Sequence, residues 1–260
     1  SLHDALPILT NQVCVRLDAA AAGSDGDAVR GFSDGAAHER AQGSAASADR
    51  LAGTLELMLT GEAVTEEETA EACQAAASAH CQSVSVYSGL TAVAAKQLQG
   101  TDVKVCALVG WPHGAASASA KAAEALDAVM NGAGEIEAAM NFGLLRSRKW
   151  KDAAEDLKTV IAAVGGRVPV RAAAGACFMS EAELVKACAV AKAAGAESVS
   201  VYTASGNMSD AVRRTAVARS TLGAGVEIKA GVVSDMSDVP RLREAGAARI
   251  GACPQALKSF

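Results

Sequence analysis

The chain has 260 residues, 50% of them apolar but only 3% aromatic, and a formal net charge of −5. An acidic balance with no basic face argues against a nucleic-acid partner, no apolar run approaches the roughly 20 residues of a membrane span, and no charged leader followed by an apolar stretch marks a secretory signal. Seven cysteines, none in a C-x-x-C pair or at zinc-finger spacing, are expected to be small buried thiols in a reducing cytoplasm.

Residues 1–12 carry no periodic pattern and are expected to form a disordered or non-native leader. Residues 13–17 give the first strand candidate, ending at Asp18. Residues 19–63 are rich in Ala, Gly, Ser and Asp and read as a low-complexity insertion, with one helix expected over residues 51–59. Thr65, with Glu68 three residues on, makes a capping box that opens a helix. Residues 84–87 form a strand and 89–99 a helix; the β-branched run 103–109 is a strand ending at Gly110, and 115–130 is helical. Strand and helix follow at 136–142 and 150–164. A strand at 168–173 precedes a second capping box, Ser180 with Glu183, whose helix runs to Ala194. The last three strands are expected at 199–202, 226–229 and 248–251. Gly-Ala steps at Gly132, Gly195 and Gly246 supply the left-handed caps that stop helices before strands.

Eight strands separated by helices require parallel pairing through crossovers. The length suits one (β/α)8 barrel, which takes roughly 250 residues, so residues 13–260 are expected to form a single α/β barrel. An open doubly wound sheet is the alternative, but no G-x-G-x-x-G turn follows the first strand. Ser83-Val-Ser-Val-Tyr87 recurs as Ser198-Val-Ser-Val-Tyr202. Alternate strand residues share a face, so in each copy the serines and tyrosine face the barrel interior and the valines face the helices.

In such barrels chemistry sits at the C-terminal ends of the strands. The polar residues expected there are Asp18, Ser85, Tyr87, Glu137, Asn141, Tyr202, Glu227 and Lys229. Lys229, followed by Ala-Gly in an apolar strand, is expected to be buried. Burial lowers an amine's pKa, and a neutral amine attacks a carbonyl to form a Schiff base. The competing reading is a structural ion pair with Glu137, Glu227 or Arg171. Glu137 is a general acid/base or that lysine's counter-ion; Asp18 joins the same network or caps the loop behind it. His113, in a Pro-Gly turn, reads as a loop residue. His3, His38 and His80 make no ligand spacing, so no metal is expected.

Taken together, these segments resemble the deoxyribose-phosphate aldolase family. The likeness is carried by Val84-Ser-Val-Tyr87, Val103-Lys-Val-Cys-Ala-Leu-Val-Gly-Trp-Pro-His-Gly114, Gly134-Glu-Ile-Glu137 with Asn141 and Gly143, Ser180-Glu-Ala-Glu-Leu-Val-Lys-Ala-Cys188, Lys229-Ala-Gly231 and Glu244-Ala-Gly-Ala-Ala-Arg-Ile-Gly251. The resemblance implies a metal-free barrel without a cofactor that cleaves 2-deoxyribose 5-phosphate to glyceraldehyde 3-phosphate and acetaldehyde. A strand-six lysine forms the Schiff base there, and a strand-seven lysine lowers its pKa. Carried over, Lys229 matches the strand-seven lysine, Asp18 an aspartate of the proton relay, and Glu137 the catalytic aspartate with one methylene more. Ser85 replaces a pocket cysteine, and Arg171 a lysine. Gly206, Gly231 and Gly251 match glycines of the phosphate loops. The Schiff-base lysine is absent: counting from either side puts Ser200 or Tyr202 in its place, and no lysine occurs between Lys192 and Lys229. Gly175 stands where a glutamate is usual.

Two expectations follow. Either Lys229 is the amine of a weak aldolase, with Glu137 moving protons and Tyr202 orienting the carbonyl, or the barrel binds a sugar phosphate, or serves as a subunit, without cleavage. The expected partner is a small phosphorylated sugar, with neither nucleic acid nor membrane; a homo-oligomer is left open by the sequence.

Overall fold

The structure is a computed structural model and describes residues 53–175, 179–202 and 207–259. Short β-branched and alanine-rich runs, buried on both faces, give the strands β1 (Leu55–Met58), β2 (Ser83–Tyr87), β3 (Lys104–Val109), β4 (Glu135–Ala139), β5 (Val170–Gly175), β6 (Ser198–Tyr202), β7 (Glu227–Val233) and β8 (Arg249–Ala252). They pair in parallel in sequence order, and β8 returns to β1 to close the barrel. Around them lie α1 (Glu66–Ser78), α2 (Thr91–Gln97), α3 (Ala118–Met130), α4 (Phe142–Arg146), α5 (Trp150–Val164), α6 (Glu181–Ala194), α7 (Met208–Leu222) and α8 (Val239–Glu244). No helix among the described residues is long and apolar enough to cross a membrane.

Local chemistry fixes the helix ends. Thr65 and Ser180 both close the expected capping boxes, each of which satisfies orphan N–H groups worth about 1 kcal/mol. Gly195 ends α6 with φ 89°, a conformation that only glycine adopts cheaply.

The first strand differs from its sequence reading. Residues 51–59 were expected to be helical, because Leu, Glu and Met favour helices in isolation. Instead Leu55–Met58 is the barrel's first strand, paired to β2 and β8. Leu55 and Leu57 pack outward against the helices, which leaves Glu56 and Met58 facing in. Tertiary pairing on both edges overrides propensity there. The eight-strand ring closes without residues 13–17; that segment, Asp18, the leader and most of the low-complexity segment lie outside the described residues.

Between strands and helices the core is built from small side chains. Val84, Val86, Ala107, Val109, Ile136, Ala172, Val199, Val201, Ile228 and Ile250 are all buried on the outer barrel face. The inner face is different: it is largely polar.

Candidate active site

Period-two alternation sends Glu56, Ser83, Ser85, Cys106, Glu135, Glu137, Arg171, Ser200, Lys229 and Arg249 into the barrel, and every one of them is buried. Strand register then decides who meets whom. Glu137 lies beside Arg171 across β4 and β5, and Lys229 lies between Ser200 on β6 and Arg249 on β8.

Glu56 is the hub. Its carboxylate accepts from Arg171 Nη1 at 2.9 Å, Arg249 Nη1 at 3.0 Å and Ser83 Oγ at 2.9 Å, and also from Ser85 Oγ and Lys229 Nζ. Glu137 Oε2 accepts from Lys229 Nζ at 2.6 Å and from Arg171 Nη1 at 2.8 Å, while Glu137 Oε1 makes no hydrogen bond with a described residue. Glu135 accepts from Arg171 Nη2 at 3.0 Å and from Arg249. Three buried carboxylates thus face three buried cations, and their charges cancel.

That balance sets the protonation states. Burial would raise the Glu56 carboxyl, but Arg171, Lys229 and Arg249 overcome it and hold Glu56 well below the usual carboxylate range. Burial alone would lower the Lys229 amine, yet Glu137 and Glu56 raise it above its ordinary value of 10.5. Of the two readings the sequence left open for Lys229, the geometry matches the ion pair. Lys229 is buried as expected, but it is an ammonium ion held between two carboxylates. Of its expected counter-ions, Glu137 is one; Glu227 instead lies 3.3 Å from Arg249 Nε.

The remaining expected site residues divide. Ser85 serves Glu56 as a donor. Tyr202 donates its hydroxyl to the Pro112 carbonyl at 2.9 Å and packs against Trp111 and Phe142, with ring centroids 4.8 and 6.4 Å apart. Its hydroxyl is therefore engaged at the β3 loop. Gly231 has φ 96°, and Gly251 is packed so closely that a Cβ there would lie 2.8 Å from Met58 Sδ and 3.5 Å from Lys229 Cε. Asp18 and Gly206 lie outside the described residues. Asn141 caps α4, its Oδ1 accepting from Leu144 N at 3.1 Å. His113 is exposed in its turn.

Sequence reasoning missed Glu56, Glu135 and Arg249 as members of the network. The signal for Glu56 was a single carboxylate between two leucines, Leu55-Glu-Leu57. Metal binding is the other chemistry these ligand types suggest. Glu56, Cys106 and Glu137 bring one ligand atom each within 4.8 Å of one another. Both carboxylates are already neutralised by Lys229 and Arg171, and burial pushes the Cys106 thiol far up, away from the thiolate a metal needs. The trio does not fit a cation.

Comparison with known proteins agrees with this barrel. No family model matches the chain. The deoxyribose-phosphate aldolase of Clostridium novyi (strain NT) is 36% identical over 189 residues, covering 72% of this chain and 85% of the relative. That of Streptococcus equi subsp. zooepidemicus is 39% identical over 170 residues, covering 65% and 77%. Among solved structures, the deoxyribose phosphate aldolase of Aeropyrum pernix, described as a tetramer, superposes with a TM-score of 0.72 at 22% identity over 83% of this chain and 92% of that one. The aldolase QR15 gives the same TM-score at 23% identity, over 80% and 92%. At that identity the two superpositions speak for the fold.

Proposed function

This chain belongs to the deoxyribose-phosphate aldolase family, and from that premise we propose that it keeps the family's barrel as a frame for a small phosphorylated sugar but does not cleave it through a Schiff base. The observation that carries the reading is the setting of Lys229, fully buried and shared by Glu56 and Glu137. Schiff-base formation starts with a neutral amine attacking a carbonyl carbon. Even at the ordinary lysine value of 10.5, fewer than about one amine in a thousand is neutral at pH 7, and here the value is higher still. The attack would also have to strip two ion pairs from a site with no water to replace them. Position 200, which lies beside Lys229 in the sheet, holds a serine whose Oγ makes no hydrogen bond with a described residue. No second amine is present on that strand to do the work.

A residual aldolase is the second reading, favoured by one observation: Glu137 Oε1 is an unused buried acceptor next to the amine, where a relayed proton would go. In that reading Lys229 attacks, Glu137 moves protons and Tyr202 orients the carbonyl after leaving Pro112. For either reading the phosphate is assigned to the backbone around Gly231 and Gly251, and the five described free thiols suit a reducing cytoplasm.

Borohydride reduction in the presence of deoxyribose 5-phosphate, and separately of acetaldehyde, followed by peptide mapping, decides between them. The first reading expects no adduct on the 227–233 peptide together with a rise in melting temperature on adding deoxyribose 5-phosphate. A reduced adduct on Lys229 that vanishes in Lys229→Met would overturn it in favour of the second.

A further inference from the structure

The five-residue repeat of β2 and β6 belongs to a longer correspondence. Glu56 and Arg171, Thr65 and Ser180, and the runs Ser83–Tyr87 and Ser198–Tyr202 all stand 115 residues apart. The structure repeats with them. Thr65 and Ser180 close the same capping box. Behind α1 and α6 the chain takes the same left-handed turn, at His80 with φ 52° and at Gly195 with φ 89°. The unit β1–α1–β2 thus recurs as β5–α6–β6, half-way round the ring.

The charges invert between the halves. Among the described residues, the buried carboxylates inside the barrel, Glu56, Glu135 and Glu137, all belong to β1–β4. The buried cations there, Arg171, Lys229 and Arg249, all belong to β5–β8. Every ion pair among these six crosses from one half to the other, including Arg171 to Glu56 at 2.9 Å, Lys229 to Glu137 at 2.6 Å and Arg249 to Glu135. Lys104 and Glu227, which carry the opposite sign, are far more exposed and pair inside their own halves, at 3.5 Å with Glu135 and 3.3 Å with Arg249. Two N-terminal halves joined together would enclose carboxylates alone, and two C-terminal halves cations alone. Burying either set without counter-charges is prohibitive, so only unlike halves match.

The halves are joined at Gly165-Gly166, an exposed pair between α5 and β5 with φ 61° and 72°. Successive glycines let the chain turn or extend there at little steric cost. Nothing in the charge matching requires both halves to come from one chain. We infer that the halves are separate recognition units matched by charge, so that the β5–β8 half of a second copy of this chain completes the β1–β4 half of the first, and the reverse. The product is a two-fold dimer formed by exchange. The short link favours closure within one chain at low concentration, where the effective concentration of the attached half is high, and exchange grows as the protein is concentrated. This inference is independent of the sugar-phosphate reading, because the surfaces that meet are the two halves of the barrel and no ligand takes part.

The test uses two full-length variants, Arg171→Glu and Glu56→Arg. Alone, each encloses an excess of one sign and should lose its cooperative melt. Unfolded in urea, mixed and refolded together, they can exchange halves to give one wild-type barrel and one with the pair reversed, both balanced. The mixture should regain a cooperative melt, and native mass spectrometry should find a dimer with one of each chain. Glu56→Arg and Arg171→Glu combined in one chain restore the balance and should fold unmixed, which controls for the fit of the reversed pair. The wild type refolded at about 100 μM should show a dimer fraction about tenfold or more above that at about 1 μM. A mixture that stays unfolded while the combined variant folds, a mixture that refolds only as monomers, or a wild-type dimer fraction that ignores concentration would each overturn the exchange. Stable folding of either single variant alone, or failure of the combined variant to fold, would overturn the charge matching on which it rests.

Discussion

Lys229→Met tests the charge balance at the centre of the barrel. The wild-type interior sets Glu56, Glu135 and Glu137 against Arg171, Lys229 and Arg249. Methionine nearly conserves the volume, so the cost of packing is small. What changes is that three buried carboxylates then face two guanidinium groups. Removing one partner of a buried pair costs about 3–5 kcal/mol, which for a domain of this size lowers the melting temperature by about 6–20 °C. The pH dependence carries the sharper signature. In the variant one buried carboxyl escapes the imbalance by taking up a proton, so its folded pKa lies above its unfolded one. The folded state then binds more protons than the unfolded state, and stability rises as the pH falls from 7 toward 5. In the wild type Glu56 is depressed instead. Its contribution is complete above the unfolded carboxylate value of 4.5 and is lost as the pH drops below it, so stability between pH 7 and 5 is flat and then falls. Urea denaturation at pH 7, 6 and 5 reads both slopes. Adding Glu137→Gln to Lys229→Met restores two against two and should recover most of the loss. If Lys229→Met stays within about 1 kcal/mol of wild type at pH 7, or loses stability on acidification as the wild type does, the balanced network is refuted.

Three further outcomes are expected. Gly175→Ala places a Cβ 2.6 Å from Phe142 Cε2 and 2.8 Å from the Tyr202 hydroxyl, so it should cost about 1–3 kcal/mol in urea denaturation, and Phe142→Leu in the same chain should relieve part of it. Thiol labelling of the native chain at pH 7.5 should modify Cys253 first among the five described cysteines. Burial raises Cys73 and Cys81 to about 11 and Cys188 to about 12, and those positions should react only on unfolding, as peptide mapping would report. Ser200→Lys adds a fourth cation beside Lys229 to a network that holds three carboxylates. At the expense of some overpacking, the borohydride trap with acetaldehyde should then yield an adduct at position 200 where the parent chain yields none at 229. A stably folded variant that traps nothing would count against the charge balance as the control on reactivity.

Much of the fold was legible because its signals are local. Val103 to Val109 reads as a strand from its own composition, and the Thr65 and Ser180 boxes state where α1 and α6 begin. The first strand was not legible for the opposite reason. Leu55-Glu-Leu-Met58 is made of helix formers, and only pairing to β2 and β8, at long sequence separation, makes it extended. The same loss carried through to the site. With that segment taken as a helix, Glu56 had no place on the inner face. A lysine in an apolar strand needs a buried partner, and that alone named Glu137, Glu227 or Arg171 as the candidates for Lys229. Which carboxylate meets which cation depends on the stagger between neighbouring strands, and no local pattern encodes that.

The sign of the Lys229 shift is set by the charges enclosed with the amine. Burial by itself predicts a lowered pKa and a nucleophile; burial among carboxylates predicts an ammonium ion. The first effect belongs to the residue, the second to its surroundings. When enclosed cations equal enclosed carboxylates, every amine keeps its proton, because losing one would leave a carboxylate uncompensated. When cations exceed carboxylates by one, the surplus charge is expelled by the amine, since a guanidinium does not release its proton near neutral pH. Reactivity in this barrel therefore turns on whether the number of enclosed cations exceeds three, and the serine at position 200 holds it at three.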